Sequence, residues 1–503
     1  MKTLFKPTSY KKGTVLAIGA TFVWKVISFA NALLLALYFG ANRQTDIYFY
    51  LIILTGVGVS FLQRLNQTVL IPEAMFLTQQ NKFTGEKFAT MWFYIYVLLG
   101  LLIVGISLLC PEQMWGILSR FGGRLLAHDK ALLVWALWVF ALQIITYYLM
   151  ALAEMYKFFK TAWLGVLNAI CPLVALLILG EKVGIISMFY GFFVANVLQI
   201  VILVILLKTQ ISWSFCPAWV PLRTRTRQNM LTGQTLAVLD MVNSWLPVYL
   251  MSGMGIGFVS ALNYCKQLTD STTEVLTARA ANIAKIEMTE QLAKNESAPA
   301  NETFINATYM LLVVLAPLAV FSCYFAPQIV DLFFKRGQFT AQAAQDTVSF
   351  LRPMLFVLLL MVPGYLQNSA LAAGQKIKEW FPYALTGGLL FTMMMGWFIP
   401  KQGAFVYPYL IGASLIIGFI LNAFLFKKHL PFLHYFKPLY LTLRLTACAA
   451  AALLPAGLLS GILSPTYWVQ ILGCGPVFVG AYVGILYVTK DLRKLRELLG
   501  HGF

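Results

Sequence analysis

Apolar residues along this chain gather into runs of roughly 20 or more, the length a helix needs to cross a hydrocarbon core of about 30 Å. Bounded by charges or by Pro and Gly clusters, the runs predict spans near residues 14–38, 46–78, 88–110, 130–154, 158–180 and 183–207. A polar stretch at 208–227 follows, and further runs lie near 228–252, 256–284, 304–325, 342–372, 381–399, 405–426, 440–462 and 466–488. The pattern predicts an all-α polytopic membrane protein of about 14 transmembrane helices. The first run follows a basic segment, Met1 to Lys12, but is too long for a signal peptide and lacks a small-residue cleavage pattern, so a retained first span is expected.

The two halves can be laid over each other. Cys110-Pro111-Glu112-Gln113 after span three recurs as Ala326-Pro327-Gln328 after span nine, and Arg120 falls on Arg336, at a shift of 216. Later, Ala151-Leu152-Ala153 falls on Ala370-Leu371-Ala372 and Lys157 on Lys376 at a shift of 219, as a three-residue insertion would give. An even number of spans per half gives both copies one orientation, with the expected axis along the membrane normal and a central cavity between two pseudo-symmetric six-helix lobes. The expected organisation is an N-lobe at 1–207 (spans one to six), a cytoplasmic linker at 208–227, a C-lobe at 228–426 (spans seven to twelve), and 427–503 holding spans thirteen and fourteen with a cytoplasmic tail.

Composition excludes a soluble domain: of 503 residues, 60% are hydrophobic and 11% charged, against about 25% charged in ordinary globular proteins. The net charge of +18 is mostly a topology signal. With the N-terminus inside, the inner segments carry 24 Lys and Arg and the outer segments 8, so both termini are expected in the cytoplasm of a bacterial inner-membrane protein. These cations are spread over loops and tails without a clustered, aromatic-interleaved patch, and no nucleic-acid partner is expected. The seven cysteines never approach within 25 residues of one another, which leaves no metal knuckle or redox pair and predicts core filler.

The candidate chemistry lies in charges within the spans, each costing at least about 2.5 kcal/mol on insertion scales. These are Lys25, Arg64, Lys266, Arg279 and Arg352, with the anions Asp240, Asp270 and Glu274. Asn263, Lys266, Asp270 and Glu274 recur at helical spacing and form one polar face of span eight. Pairing of Lys266 with Asp270 at i and i+4 is the plain alternative there, and Arg352, near a span end, can instead snorkel. Lys25 has no acidic residue within four positions, so its partner must come from another helix or a ligand. Cations on spans one, two and eight predict an anionic cargo, with phosphate or pyrophosphate the natural partner of Lys and Arg. No P-loop, nucleotide fingerprint, GxSxG or HExxH is present, so neither an enzyme nor direct use of ATP is expected, and no cofactor. Asp240, Asp270 and Glu274 are candidates for coupling to protons or sodium, with sodium at Asp240 in particular; structural pairing is the alternative for each.

Three strings carry a family resemblance: Phe39-Gly40-Ala41 with Thr45-Asp46, Val259-Ser260-Ala261-Leu262-Asn263-Tyr264, and Leu332-Phe333 with Arg336-Gly337 and Phe339-Thr340. They resemble, in turn, the loop after span one, the start of span eight and the segment after span nine of the MurJ/MviN lipid II flippases, within the multidrug/oligosaccharidyl-lipid/polysaccharide exporter superfamily. The resemblance implies a V-shaped, two-lobed flippase. Such a protein moves an undecaprenyl-pyrophosphate-linked saccharide from the inner to the outer leaflet by alternating access, with a groove for the lipid tail on the last two spans. Its partners would be that lipid-linked saccharide and membrane lipids. By the same resemblance Lys25 stands at the first span-one arginine, Asn31 at the second, and Gln267, with Lys266 beside it, at the span-eight arginine. Arg64 matches a span-two arginine once one gap is allowed, Asp46 belongs to the first motif, and Leu239-Asp240 resembles a pair the family associates with sodium. The exchange of guanidinium forks for ammonium and amide groups keeps an exopolysaccharide or O-antigen unit as an alternative cargo. A cation-coupled exporter of small molecules is the alternative class, though such exporters normally stop at twelve spans and favour acidic cavities.

Overall fold

The computed structural model describes residues 10–121, 127–211, 213, 219–221, 223–272, 277–464 and 466–500, and among these every regular element is a helix. In chain order they are α1 (Tyr10–Phe39), α2 (Arg43–Leu65), a π-turn (Asn66–Leu70), α3 (Ile71–Gln80), α4 (Lys82–Leu109), α5 (Pro111–Leu118), α6 (Ala127–Met155), α7 (Leu167–Val183), α8 (Ile186–Leu207), α9 (Thr224–Met251) and α10 (Phe258–Thr272). There follow α11 (Ala278–Ala293), α12 (Ser297–Tyr324), α13 (Ala326–Phe333), α14 (Ala341–Ala373), α15 (Ile377–Gln402), α16 (Tyr407–His429), α17 (Lys437–Ile462), α18 (Tyr467–Val488) and α19 (Asp491–Gly500). Twelve helical stretches among the described residues are long and apolar enough to cross a membrane. The two expected spans outside that set are the seventh, on α9, and the eighth, on α10. Polar positions such as Gln228, Asn229, Gln234 and Asp240 dilute α9, and α10 is 15 residues long and carries the Asn263, Lys266, Asp270 stripe.

Large apolar side chains point outward in number: Leu109 and Ile462 are each 83% exposed, which suits a lipid solvent and would be untenable in water. Lipid tails are as apolar as Leu, so the helices are held instead by close packing and by hydrogen bonds between them. Packing divides the chain into two compact units, Met1–Ser260 and Ala261–Phe503, so α9 packs with the first.

In the first unit α4 and α6 meet through the stacked rings of Tyr96 and Tyr148, centroids 4.9 Å apart. Their hydroxyls donate to Asn66 Oδ1 (2.7 Å) and to the Ala89 carbonyl (2.9 Å), leaving neither orphaned in the core. Helices α7 and α8 touch at Gly191, where a Cβ would lie 2.4 Å from Pro172 Cα; only glycine fits there. In the second unit Tyr264 of α10 packs its ring on Phe334 and Phe339, and Arg444 of α17 pairs with buried Asp491 at the start of α19. Of the cysteines expected to fill the core, Cys265 and Cys474 do so, whereas Cys110 is exposed where α4 ends.

The internal repeat is visible in backbone geometry. Helices α5 and α13 are each 8 residues long and open with Pro111 and Pro327 in their first turns, 216 positions apart. Lys157 and Gln375 adopt left-handed backbone (φ 65° and 56°) to end α6 and α14, each followed by a residue whose N–H reaches back to Ala153 or Leu371. Those two caps lie 218 apart, so Lys157 superposes on Gln375 and not on Lys376 as the residue match suggested; the conserved feature is the cap's conformation, not the side chain. Gly184 and Gly403, at φ 77° and 89°, close α7 and α15 at a shift of 219. The three extra residues therefore enter in two steps.

Candidate functional site

In the first unit, α1 carries two of the expected residues. Lys25 is half-buried, its Nζ 5.0 Å from the ring of Trp24. Asn31 is buried and donates from Nδ2 to the Ala169 carbonyl on α7 at 2.9 Å, so it ties two helices together, while its Oδ1 is buried without a hydrogen-bond partner.

Asp46 sits in the first turn of α2, which is opened by a reciprocal cap between Asn42 and Thr45. Its carboxylate is fully buried and accepts from the Gly257 N–H (2.5 Å), the Ser260 N–H (2.8 Å) and the Ser260 hydroxyl (2.6 Å). Three donors saturate most of a carboxylate's acceptor sites, so Asp46 fastens the start of α10 to α2 and has little left to offer a ligand.

Arg64 occupies the last turn of α2 and Asp240 the middle of α9. Arg64 Nη1 donates to Asp240 Oδ2 at 2.6 Å, with 51% of the arginine and 55% of the aspartate side chain exposed. Two of the charges singled out within spans thus meet each other. The pair lies in an open place, where each partner can be reached.

Nine residues further along the same span lies a group that sequence reasoning missed. Glu73, 1% exposed, accepts from Arg223 Nε (2.8 Å) and Nη2 (2.7 Å) and from the Thr226 hydroxyl (2.7 Å), while the guanidinium covers the Phe76 ring at 3.5 Å. The carboxylate beside it holds the Arg223 guanidinium above its ordinary range. This fork pins the linker before α9 to α3. The available signal was a carboxylate following Pro72 within the predicted second span.

In the second unit, Lys266 is half-buried with its Nζ 5.9 Å from the ring of Tyr407 on α16, a distance at which the aromatic face attracts the cation. Gln267 is half-buried beside it, and Asp270 is exposed one turn on. Glu274 lies outside the described residues. Arg352 of α14 is exposed and lines a cavity of about 590 Å³ among α12, α13, α14, α17 and α18; Lys266 is not among its lining residues. Lys266 and Arg352 therefore serve different surfaces. Among the described residues no group of three or more His, Cys, Asp or Glu is arranged to hold a metal ion.

A family profile described as "Lipid II flippase MurJ" matches residues 35–474. A probable lipid II flippase MurJ from Borreliella burgdorferi is 21% identical over 366 residues, covering 70% of each chain. Among solved structures, a lipid II flippase MurJ in an inward closed conformation superposes with a TM-score of 0.79 at 18% identity, covering 95% of this chain and 99% of that one. A multidrug resistance MATE family transporter in an inward-facing conformation gives 0.59 at 13% identity, over 84% of this chain and 96% of that one. A multidrug resistance MATE family transporter in an outward-facing conformation gives 0.55 at 13% identity, over 84% of this chain and 95% of that one. These structural likenesses show the fold.

Proposed function

The chain belongs to the lipid II flippase MurJ family, and from that premise we propose that it moves an undecaprenyl-pyrophosphate-linked saccharide from the inner to the outer leaflet by alternating access. Both termini lie in the cytoplasm in this reading, which the excess of basic residues on one side supports. Neighbours of the same fold solved in inward-facing and outward-facing conformations support the alternating cycle.

The observation that carries the reading is Arg64: a guanidinium within a span, half exposed, held by a single salt bridge to an equally exposed carboxylate. A structural ion pair in a membrane protein is normally shut away from solvent and lipid. An open one can exchange partners. The cargo's pyrophosphate takes Arg64 by bidentate hydrogen bonds, Asp240 is released, and the freed carboxylate takes up a proton or a sodium ion. Asp240 and Asn243, one turn apart on α9, offer the oxygen donors that a hard cation prefers. Lys25 and Lys266 add point charges for the phosphates, with Gln267 able to hydrogen-bond the saccharide or phosphate oxygens. Asn31 and Asp46 support the helices that carry these groups.

Lysine and amide groups at three positions where the family resemblance places arginines favour one competing cargo, an exopolysaccharide or O-antigen unit on the same lipid. Depletion in the host followed by identification of the lipid-linked saccharide that accumulates in the inner leaflet separates the two. Accumulated lipid II supports the proposal, accumulation of another polyprenyl-linked glycan replaces it, and no accumulation of any such lipid overturns the flippase reading.

A further inference from the structure

Exposure along the second span separates two kinds of surface. From Gly56 to Leu70, over the second half of α2 and the π-turn behind it, the exposed positions are Gly56, Ser60, Arg64, Gln67 and Thr68, none of them apolar. On α4, which carries the next span, the exposed positions Leu98, Leu101, Leu102 and Ile106 are all apolar and suit lipid. Depth does not account for the difference. Asn66, the first residue of the π-turn, is buried and accepts from the Tyr96 hydroxyl at 2.7 Å. Tyr96 itself lies eight residues, about 12 Å, inside the apolar run of 88–110. Polar groups exposed at that depth face water rather than hydrocarbon. A π-turn within a longer helix is a feature that recurs at functional sites, and this one carries two of the five exposed positions, Gln67 and Thr68.

Gln67 and Thr68 stand one turn beyond Arg64, about 5 Å along the helix axis. The Thr68 hydroxyl spends its hydrogen on the Arg64 carbonyl at 2.8 Å, so its oxygen is left to accept. The exposed Gln67 amide offers two donor hydrogens and an acceptor oxygen. A phosphate oxygen has no hydrogen to give Thr68 or the Gln67 carbonyl, whereas a sugar hydroxyl both gives and accepts. In a lipid-linked saccharide the first sugar is joined directly to the pyrophosphate, so a phosphate held at Arg64 brings that sugar's hydroxyls within a turn of it. We infer that the π-turn is the sugar-reading edge of the cargo site, with Gln67 and Thr68 hydrogen-bonding hydroxyls of the first sugar, a role that rests on the flippase reading above. Arg64 holds the phosphate whatever follows it. Gln67 and Thr68 separate a glycosylated carrier from a bare one, and because both are wet, the discrimination they supply is modest.

Two probes, undecaprenyl pyrophosphate and the same lipid bearing a disaccharide, titrated separately into the full-length protein in nanodiscs, divide sugar from phosphate. Gln67→Leu should weaken binding of the disaccharide lipid about tenfold and Thr68→Val about threefold, as the loss of two and of one neutral hydrogen bond gives. Both variants should keep the wild-type affinity for the bare pyrophosphate lipid, which also shows that they fold. Arg64→Gln should weaken the two lipids alike. An equal loss for both lipids in Gln67→Leu and Thr68→Val, or no loss for either, overturns the sugar-reading role and leaves the flippase reading standing. A wild type that binds neither lipid overturns the flippase reading, and this role with it.

Discussion

Replacing Asp240 by Asn removes the charge facing Arg64 across 2.6 Å while keeping the shape of the side chain. Two unit charges about 4 Å apart attract by about 1 kcal/mol in water and by about 4 kcal/mol at an effective dielectric constant near 20. With 51% and 55% of the two side chains exposed, screening places the pair at the low end, about 1 kcal/mol. A cargo phosphate that has to displace Asp240 loses that amount, so the Asn variant should bind a pyrophosphate-linked lipid about fivefold more tightly when the coupling ion is absent. In the wild type, adding the ion should recover the same factor by drawing the carboxylate off Arg64; in the variant it should recover nothing. Binding of a fluorescent lipid-linked disaccharide to protein in nanodiscs, titrated with and without sodium and at two proton concentrations, reads both effects. Transport into proteoliposomes with and without the gradient reads the consequence. The exchange reasoning fails if Asp240→Asn keeps the ion response of the wild type. It also fails if the variant is unstable and neutralising Arg64 restores it with coupling intact, because Asp240 is then only a structural partner.

Charge rather than shape should matter at the lysines: Lys25→Arg is expected to keep transport, whereas Lys25→Gln and Lys266→Gln should lose it at unchanged protein level, as measured by the same proteoliposome assay. At the linker, Arg223→Ala strands the buried Glu73 carboxylate and should cost about 3 kcal/mol, more than Arg223→Ala combined with Glu73→Gln; a thermal-unfolding double-mutant cycle measures the difference, and additive losses would contradict the fork. Cysteine accessibility should label positions 43, 182 and 401 from outside and 82 and 428 from inside, and labelling of 401 and 428 from one side would break the proposed topology.

Much of the fold was legible because apolar run length is a nearly direct readout of bilayer thickness. Helices α9 and α10 were found as helices from the punctuation around them, the linker before Thr224 and the glycines before Phe258, though neither is among the twelve stretches long and apolar enough to cross a membrane. The intramembrane charges were legible one at a time for the same reason, since each is costly enough to stand out. Their partners were not. Arg64 and Asp240 are 176 residues apart, and no local spacing rule links them. Asp46 resembled a binding residue by motif, yet its oxygens are consumed by the backbone of Gly257 and by Ser260, a fact that depends on how the start of α10 is folded onto α2. Glu73 escaped because its value lies in a residue 150 positions away. Arg352 was legible as a charge within a span, but the cavity it lines is formed with four other helices.

The π-turn at Asn66–Leu70 interrupts a 38-residue span, and its closing bond runs from the Ile71 N–H to the Asn66 carbonyl, five residues back where an α-helix uses four. A ring of that size holds one residue more than an α-helical turn. The wide ring absorbs that residue, so the helix after it sits about 100° away from where an unbroken α-helix of the same residues would put it. Arg64 lies just ahead of that change of phase and Glu73 just behind it. The extra residue thus lets one span present a basic group to α9 on one azimuth and an acidic group to the linker on another. Closing the turn to plain α-helical geometry with all its residues kept would rotate α3 by about 100° against α2, and the span could keep only one of its two partners.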